Sequence, residues 1–107
     1  MTVDVTLHAL ADPTRRAICQ RLAHGRASIG QLAALFPISR PAVSQHVQVL
    51  AQAGLVETGD GRQRPYQLRA APLLLLEDWI TGVIHIWEGA PLPMDDARSD
   101  TTRRSGP

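Results

Sequence analysis

Residues 39–50 read SRPAVSQHVQVL, and the spacing inside this stretch decides the fold. Ser39 is a capping residue, Pro41 falls in a first helical turn, and Gly54 stands just past the end. At about 100° per residue, Val43, Val47 and Leu50 fall within about 60° of one another. These three predict a buried stripe. Arg40, Pro41, Ser44, Gln45, Gln48 and Gln52 spread over the opposite side, and residues 39–52 contain no acid. A solvent-facing helix usually carries alternating charges there. This one presents short, uncharged hydrogen-bonding groups with an arginine at its start.

Upstream, Ser28 and Gln31 have the spacing of a capping box. Ile29, Leu32, Ala33 and Phe36 then recur at i, i+3, i+4 and i+7, so a helix is expected from Ser28 until Pro37 ends it. A connection of about three residues, Pro37 to Ser39, joins it to the next helix, which makes the pair a helix-turn-helix candidate. Before them, ADPTRRAICQRLAHG (11–25) has Asp12 as N-cap, Pro13 at the first helical position and Gly25 as stop. Ile18 and Leu22 form its stripe, flanked by Ala11 and Cys19. A short first helix is expected over residues 5–11, from Val5, Leu7, Leu10 and Ala11.

Downstream, LVETGDGRQRPYQLR (55–69) reads as a hairpin turning at Gly59–Arg62, with Pro65 inside an edge strand. Residues 72–88 predict a last helix in which Leu73, Leu76, Ile80, Val83 and Trp87 recur at 3, 4, 3 and 4. Leu74, Leu75, Trp79, Ile84 and Ile86 enlarge its apolar surface beyond what one domain can cover, which points to a second chain. The reading is therefore one domain over residues 1–89, mostly α with a small β-hairpin. The proline- and polar-rich residues 90–107 are expected to be a disordered tail.

Composition narrows the function classes. The chain has 107 residues and a net charge of +1, but residues 1–71 hold eight arginines against four acids, and residues 72–107 hold three against six. A basic front half suits a polyanion. No apolar run reaches the roughly 20 residues of a membrane span, and the N-terminus lacks a signal-peptide pattern, so a cytoplasmic protein with no membrane partner is expected. Cys19 is the only cysteine. It excludes an internal disulfide and reads as an inert packing thiol rather than a redox sensor. No nucleophile–base–orienter set and no glycine-rich phosphate loop is present, so the chain is not expected to be an enzyme.

A helix-turn-helix sets its second helix in the DNA major groove. Base edges offer donors and acceptors rather than charges. Glutamine can pair with adenine, serine is versatile, and arginine takes guanine or phosphate. The candidate DNA surface is therefore Ser39, Arg40, Pro41, Ser44, Gln45, His46 and Gln48 on the helix, with Arg62 and Arg64 at the hairpin tip. The competing reading of Ser44 and Gln45 is an ordinary solvated face. For His46, packing with a bond to backbone or phosphate is favoured over base reading. Arg15, Arg16 and Arg21 are expected to face solvent, unless Arg15 or Arg16 touches phosphate or another helix. A different function class, a winged-helix module for protein–protein assembly, would use Gln48 and Gln52 against a protein groove.

The combination of ALADPTRRAI, ISRPAVSQHVQVL, AGLV and GRQRPYQL resembles the ArsR-type winged helix-turn-helix transcriptional repressors over residues 5–88. The resemblance implies a homodimer paired through its first and last helices, with Leu7, Leu10, Leu73, Leu76, Ile80, Val83 and Trp87 at the interface. It also implies a palindromic operator, in some cases the protein's own. Ser44 and Gln45 would face bases, Arg40 bases or phosphate, and Arg62 and Arg64 would act as wing contacts. Gln48 departs from the pattern, replacing a basic residue. Residues 28–33, SIGQLA, lack the thiolate pair of the metal sensors. The last helix keeps only His85 and Glu88 of the other metal pattern, a poor zinc site. Neither a metal nor a cofactor is expected, and the effector ligand is not readable from the sequence.

Overall fold

Each of the first four helices begins where a short oxygen side chain takes a free amide. In the computed structural model, which describes residues 2–59 and 64–89, α1 spans Val3–Leu10, α2 Pro13–Leu22, α3 Ile29–Ala33 and α4 Arg40–Gln52. Thr2 accepts from the Val5 amide, Asp12 from Arg15, Ser28 from Gln31 and Ser39 from Ala42, at 3.0–3.3 Å. The Gln31 side-chain oxygen Oε1 in turn accepts from the Ser28 amide at 2.8 Å, completing the capping box. A cap of this kind stabilises a helix by about 1 kcal/mol.

The ends are equally local. Gly25 and Gly54 adopt φ of 141° and 79°, the left-handed region that side chains resist. At the end of α4 the Leu55 amide bonds the Leu50 carbonyl and the Gly54 amide bonds that of Ala51. This paired closure lets Leu55 turn back into the core, where it is fully buried.

α3 is shorter than the sequence predicts. It stops at Ala33, and the chain continues to Phe36 through i→i−3 bonds, Leu35 to Leu32 and Phe36 to Ala33. Pro37 disfavours helical geometry at the residue before it, so the last turn tightens instead of propagating. The connection to α4 is correspondingly longer than three residues.

β1 (Val56–Thr58) and β2 (Tyr66–Leu68) pair antiparallel, with Val56 opposite Leu68 and Thr58 opposite Tyr66. Pro65 does not lie inside the second strand. It precedes it, and its carbonyl accepts from the Gly59 amide. Tyr66 also exchanges both backbone bonds with Ala27, tying the α2–α3 loop to the hairpin. The hairpin tip, residues 60–63, and the tail from residue 90 lie outside the described residues.

The core lies where α2, α3, α4 and β1 converge. Ile18, Leu22, Leu32, Val43, Val47, Leu50, Leu55 and Val56 are buried, and Cys19 joins them. Each large aliphatic side chain in this set contributes roughly 1.5–3 kcal/mol. α1 adds Thr6 and Ala9, not Val5 or Leu7, and the Thr6 hydroxyl donates to the Thr2 carbonyl, so no polar group is orphaned there. Ala11, expected to flank the α2 stripe, is exposed. α5 (Ala71–Gly89) packs its first turns on α1 and on the core through Pro72 and Leu73. From Glu77 to Gly89 every residue is exposed.

Candidate nucleic-acid interface

α4 is held by the core on one side only. Val43, Val47 and Leu50 are at most 2% exposed, the stripe that the spacing predicts. Arg40, Pro41, Gln45, Gln48 and Gln52 are exposed and Ser44 half-buried. The first turn of α4 contains no acidic residue. One continuous face therefore carries an arginine, a serine and three glutamines, each side chain without a hydrogen bond among the described residues. Ser39 differs: its hydroxyl is spent on the Ala42 amide.

Arg40 lies across α3. Its Nη2 would stand 3.2 Å from a Cβ built on Gly30, so the glycine in SIGQLA leaves the guanidinium room to lie there. His46 is turned away from the glutamine face toward α2. Its Nδ1 stands 3.4 Å from Nη1 of Arg15 and 3.9 Å from the Asp12 carboxylate, and its side chain is 24% exposed. Its polar neighbours are thus side chains of α2 and its cap, not the backbone or phosphate partner expected on sequence.

All three arginines expected to face solvent donate to backbone carbonyls, and Arg15 and Arg16 do so to another helix, the alternative left open for them on sequence. Arg15 donates to the carbonyls of Ala9 (2.6 Å) and His8 (3.2 Å), and Arg16 to those of Leu10 and Ala11. Both close the C-terminal end of α1, where cations complement unpaired carbonyls. Arg21 bonds the Gly25 carbonyl at 3.0 Å. The signal was DPTRR itself: arginines three and four residues after an N-cap sit where the preceding helix ends. Asp12 is held below the ordinary carboxylate range, chiefly by the Arg15 amide it caps, with the His46 ring and the Arg15 guanidinium adding to it.

The hairpin base carries its own polar ladder. Gln67 donates to Glu57, Arg69 pairs with Glu57 at 2.8 Å, and Arg26 donates to the Gln67 oxygen. The Gln67 and Arg69 bonds hold the Glu57 carboxyl low. This cross-strand network was not foreseen from the sequence. Arg64 is exposed at the other end, with φ of 47°, and makes no hydrogen bond or ion pair among the described residues. Arg62 lies outside the described residues.

At the other candidate surface, Leu7, Ile80, Val83 and Trp87 are each 44–46% exposed, Leu76 is half-buried, and Leu10 and Leu73 pack partly on the chain's own core. Cys19 is buried, and desolvation pushes its thiol up to about 11. Among the described residues, no three His, Cys, Asp or Glu side chains are grouped as a metal site, and no helix is long and apolar enough to cross a membrane.

Comparison with known proteins agrees with this geometry. Residues 10–59 match a helix-turn-helix domain family. The chain is 53% identical over 74 residues to the HTH-type transcriptional regulator Rv2034 of Mycobacterium tuberculosis, spanning 68% of this chain and 69% of that protein. It is 32% identical over 77 residues to the transcriptional repressor SdpR of Bacillus subtilis, spanning 72% and 83%. Among solved structures, an ArsR family transcriptional regulator superposes with a TM-score of 0.76 at 30% identity, over 82% of this chain and 92% of that one.

Proposed function

From the premise that this chain belongs to the ArsR family of winged helix-turn-helix transcriptional regulators, DNA-binding proteins and not enzymes, we propose that it is a homodimeric repressor of a palindromic operator, its own promoter included. The observation that carries this reading is the α4 face: acid-free, uncharged beyond Arg40, and with its side chains free of hydrogen bonds among the described residues. Two such helices, related by a dimer axis, would enter successive major grooves about one helical turn apart. Ser44 and Gln45 read base edges, Arg40 and Gln48 contact bases or backbone, and Arg62 and Arg64 of the wing hold phosphate. Ser39 and Pro41 set the start of the helix, and His46 supports it from behind. The dimer forms through α1 and α5, by Leu7, Leu76, Ile80, Val83 and Trp87, with Leu10 and Leu73 beneath them. Such a protein acts in the cytoplasm, where the DNA is.

The test is fluorescence anisotropy of the protein with the duplex upstream of its own gene and with a scrambled duplex, at several salt concentrations. A preference of roughly a thousandfold, with affinity falling steeply as salt rises, is the expected result. Equal, weak binding to both, followed by a random-sequence selection that finds no preferred site, would move the protein–protein module into first place.

A further inference from the structure

The polar contacts of Arg15 form a bridge between two surfaces that the proposed function uses separately. Its Nε and Nη2 donate to the carbonyls of Ala9 and His8, at the C-terminal end of α1. Its backbone amide is capped by Asp12, which fixes the start of α2. Its remaining nitrogen, Nη1, reaches Nδ1 of His46 on α4. One guanidinium fork therefore touches the helix assigned to the dimer seam and the helix assigned to the groove.

Arginine carries only donors, so the last contact is a hydrogen bond when Nδ1 holds the lone pair and the ring proton sits on Nε2. Nε2 makes no hydrogen bond among the described residues, so Nδ1 is the ring atom through which the described fold holds this side chain. A planar fork can satisfy these three acceptors at once, whereas an ammonium group at the same place cannot match the geometry.

We propose that Arg15 is a positioning residue for operator reading: through His46 Nδ1 it fixes α4 relative to α1, and so sets the separation of the two recognition helices about the dimer axis. This rests on the homodimeric operator reading above. In such a dimer, a small change in the angle between α1 and α4 is doubled by symmetry at the two half-sites. The bridge therefore bears on discrimination between half-site spacings and leaves sequence-independent affinity for phosphate untouched.

The test has two arms. In the first, the ring nitrogen shifts of His46 are read by ¹⁵N NMR on the unsubstituted protein at a pH above the ordinary imidazole range. Nδ1 unprotonated and Nε2 protonated is expected; a proton on Nδ1 would overturn the proposal without reference to DNA. In the second, binding is measured to the selected operator, to operators with the half-sites moved by one base pair, and to a scrambled duplex. Arg15→Lys and His46→Leu should each reduce the preference for the correct spacing about tenfold, with scrambled-duplex affinity and salt slope unchanged. His46→Asn places an amide oxygen where Nδ1 was and should restore the preference to within about twofold. Arg15→Lys combined with His46→Leu should be no worse than either alone, because both remove one contact.

If His46→Asn were as damaging as His46→Leu, or if correct, shifted and scrambled duplexes lost affinity together, the role would be structural and the proposal would fall. If the unsubstituted protein showed no operator preference, the repressor reading would fall and the spacing role with it, while the first arm would still report on the Arg15–His46 bond.

Discussion

α4 and the outer half of α5 are both helices with one side left open, and the open sides differ in kind. α4 shows water an arginine, a serine and glutamines, while its stripe of Val43, Val47 and Leu50 is closed. Residues 77–89 show water Trp79, Ile80, Val83, Ile84, Ile86 and Trp87, each at least 44% exposed. Polar groups lose nothing by facing solvent, so the α4 face is informative only through its chemistry. Apolar groups do lose, at roughly 25 cal/mol for each Å² left wet, so the α5 face is informative through its free energy. In the proposed reading, one helix would offer selectivity and the other association.

The largest effect expected from this contrast is on assembly. Ile80→Glu places two carboxylates, one per chain, into the proposed seam, and should raise the dimer dissociation constant roughly a thousandfold, about 4 kcal/mol. Ile80 is exposed in the single chain, so the fold itself should survive. Thr81→Glu, on the polar side of the same helix, should leave the assembly unchanged. Sedimentation velocity separates the two. A dimer that persists with Glu at position 80 would remove α5 from the interface.

On α4 the two sides should separate stability from binding. Leu50 is fully buried, and Leu50→Ala should lower unfolding free energy by about 2–5 kcal/mol in urea titrations. Gln48→Ala, on the open side, should change it by less than about 0.5 kcal/mol. A comparable loss from both would mean that the polar face is packed in solution. Within that face, Gln45→Ala should relax discrimination at one base pair by about 1–3 kcal/mol. Arg64→Ala should instead weaken binding to all duplexes and lower the salt slope by about 1. Identical behaviour of the two on operator and random DNA would end the division between reading and holding.

Much of this was legible in the chain because the deciding signals are local. Ser28 with Gln31, Ser39 with Pro41, and Gly54 each act within one helical turn, and the buried stripe of α4 follows from its spacing alone. What was not legible has two sources: local effects too short-ranged for periodicity to register, and partners distant in sequence. In the short α1, Thr6 and Ala9 face the core and Val5 and Leu7 do not, because eight residues are too few for periodicity to choose a face. The early end of α3 came from a proline acting on its neighbour. The ladder of Arg26, Gln67, Glu57 and Arg69 needs the hairpin register, which pairs Glu57 with Gln67 only once the strands meet. At the candidate site, Ser44, Gln45 and Gln48 could be read as a face, but the seat of Arg40 against Gly30 and the grip of Arg15 on His46 could not.

The smallest predicted effect concerns the junction where α1, α2 and α4 meet, between the two contrasted surfaces. The Asp12 carboxyl is held low in the folded chain, first by the Arg15 amide. Its ionised form is thus favoured by folding. The stability this supplies is fully present above the ordinary carboxylate range, about pH 4, and is lost as pH falls through the lower value of the folded state. Asp12→Asn keeps a capping oxygen but cannot titrate. Near neutrality the two proteins should unfold at closely similar temperatures, whereas toward pH 3 the unsubstituted chain should lose more of its own neutral stability than the variant does. Glu57, also held low, titrates in both and cancels from the difference. Parallel melting curves across that range would mean that the α2 cap is held by geometry alone, with no charge in it, and would confine the electrostatic linkage of folding to the hairpin base.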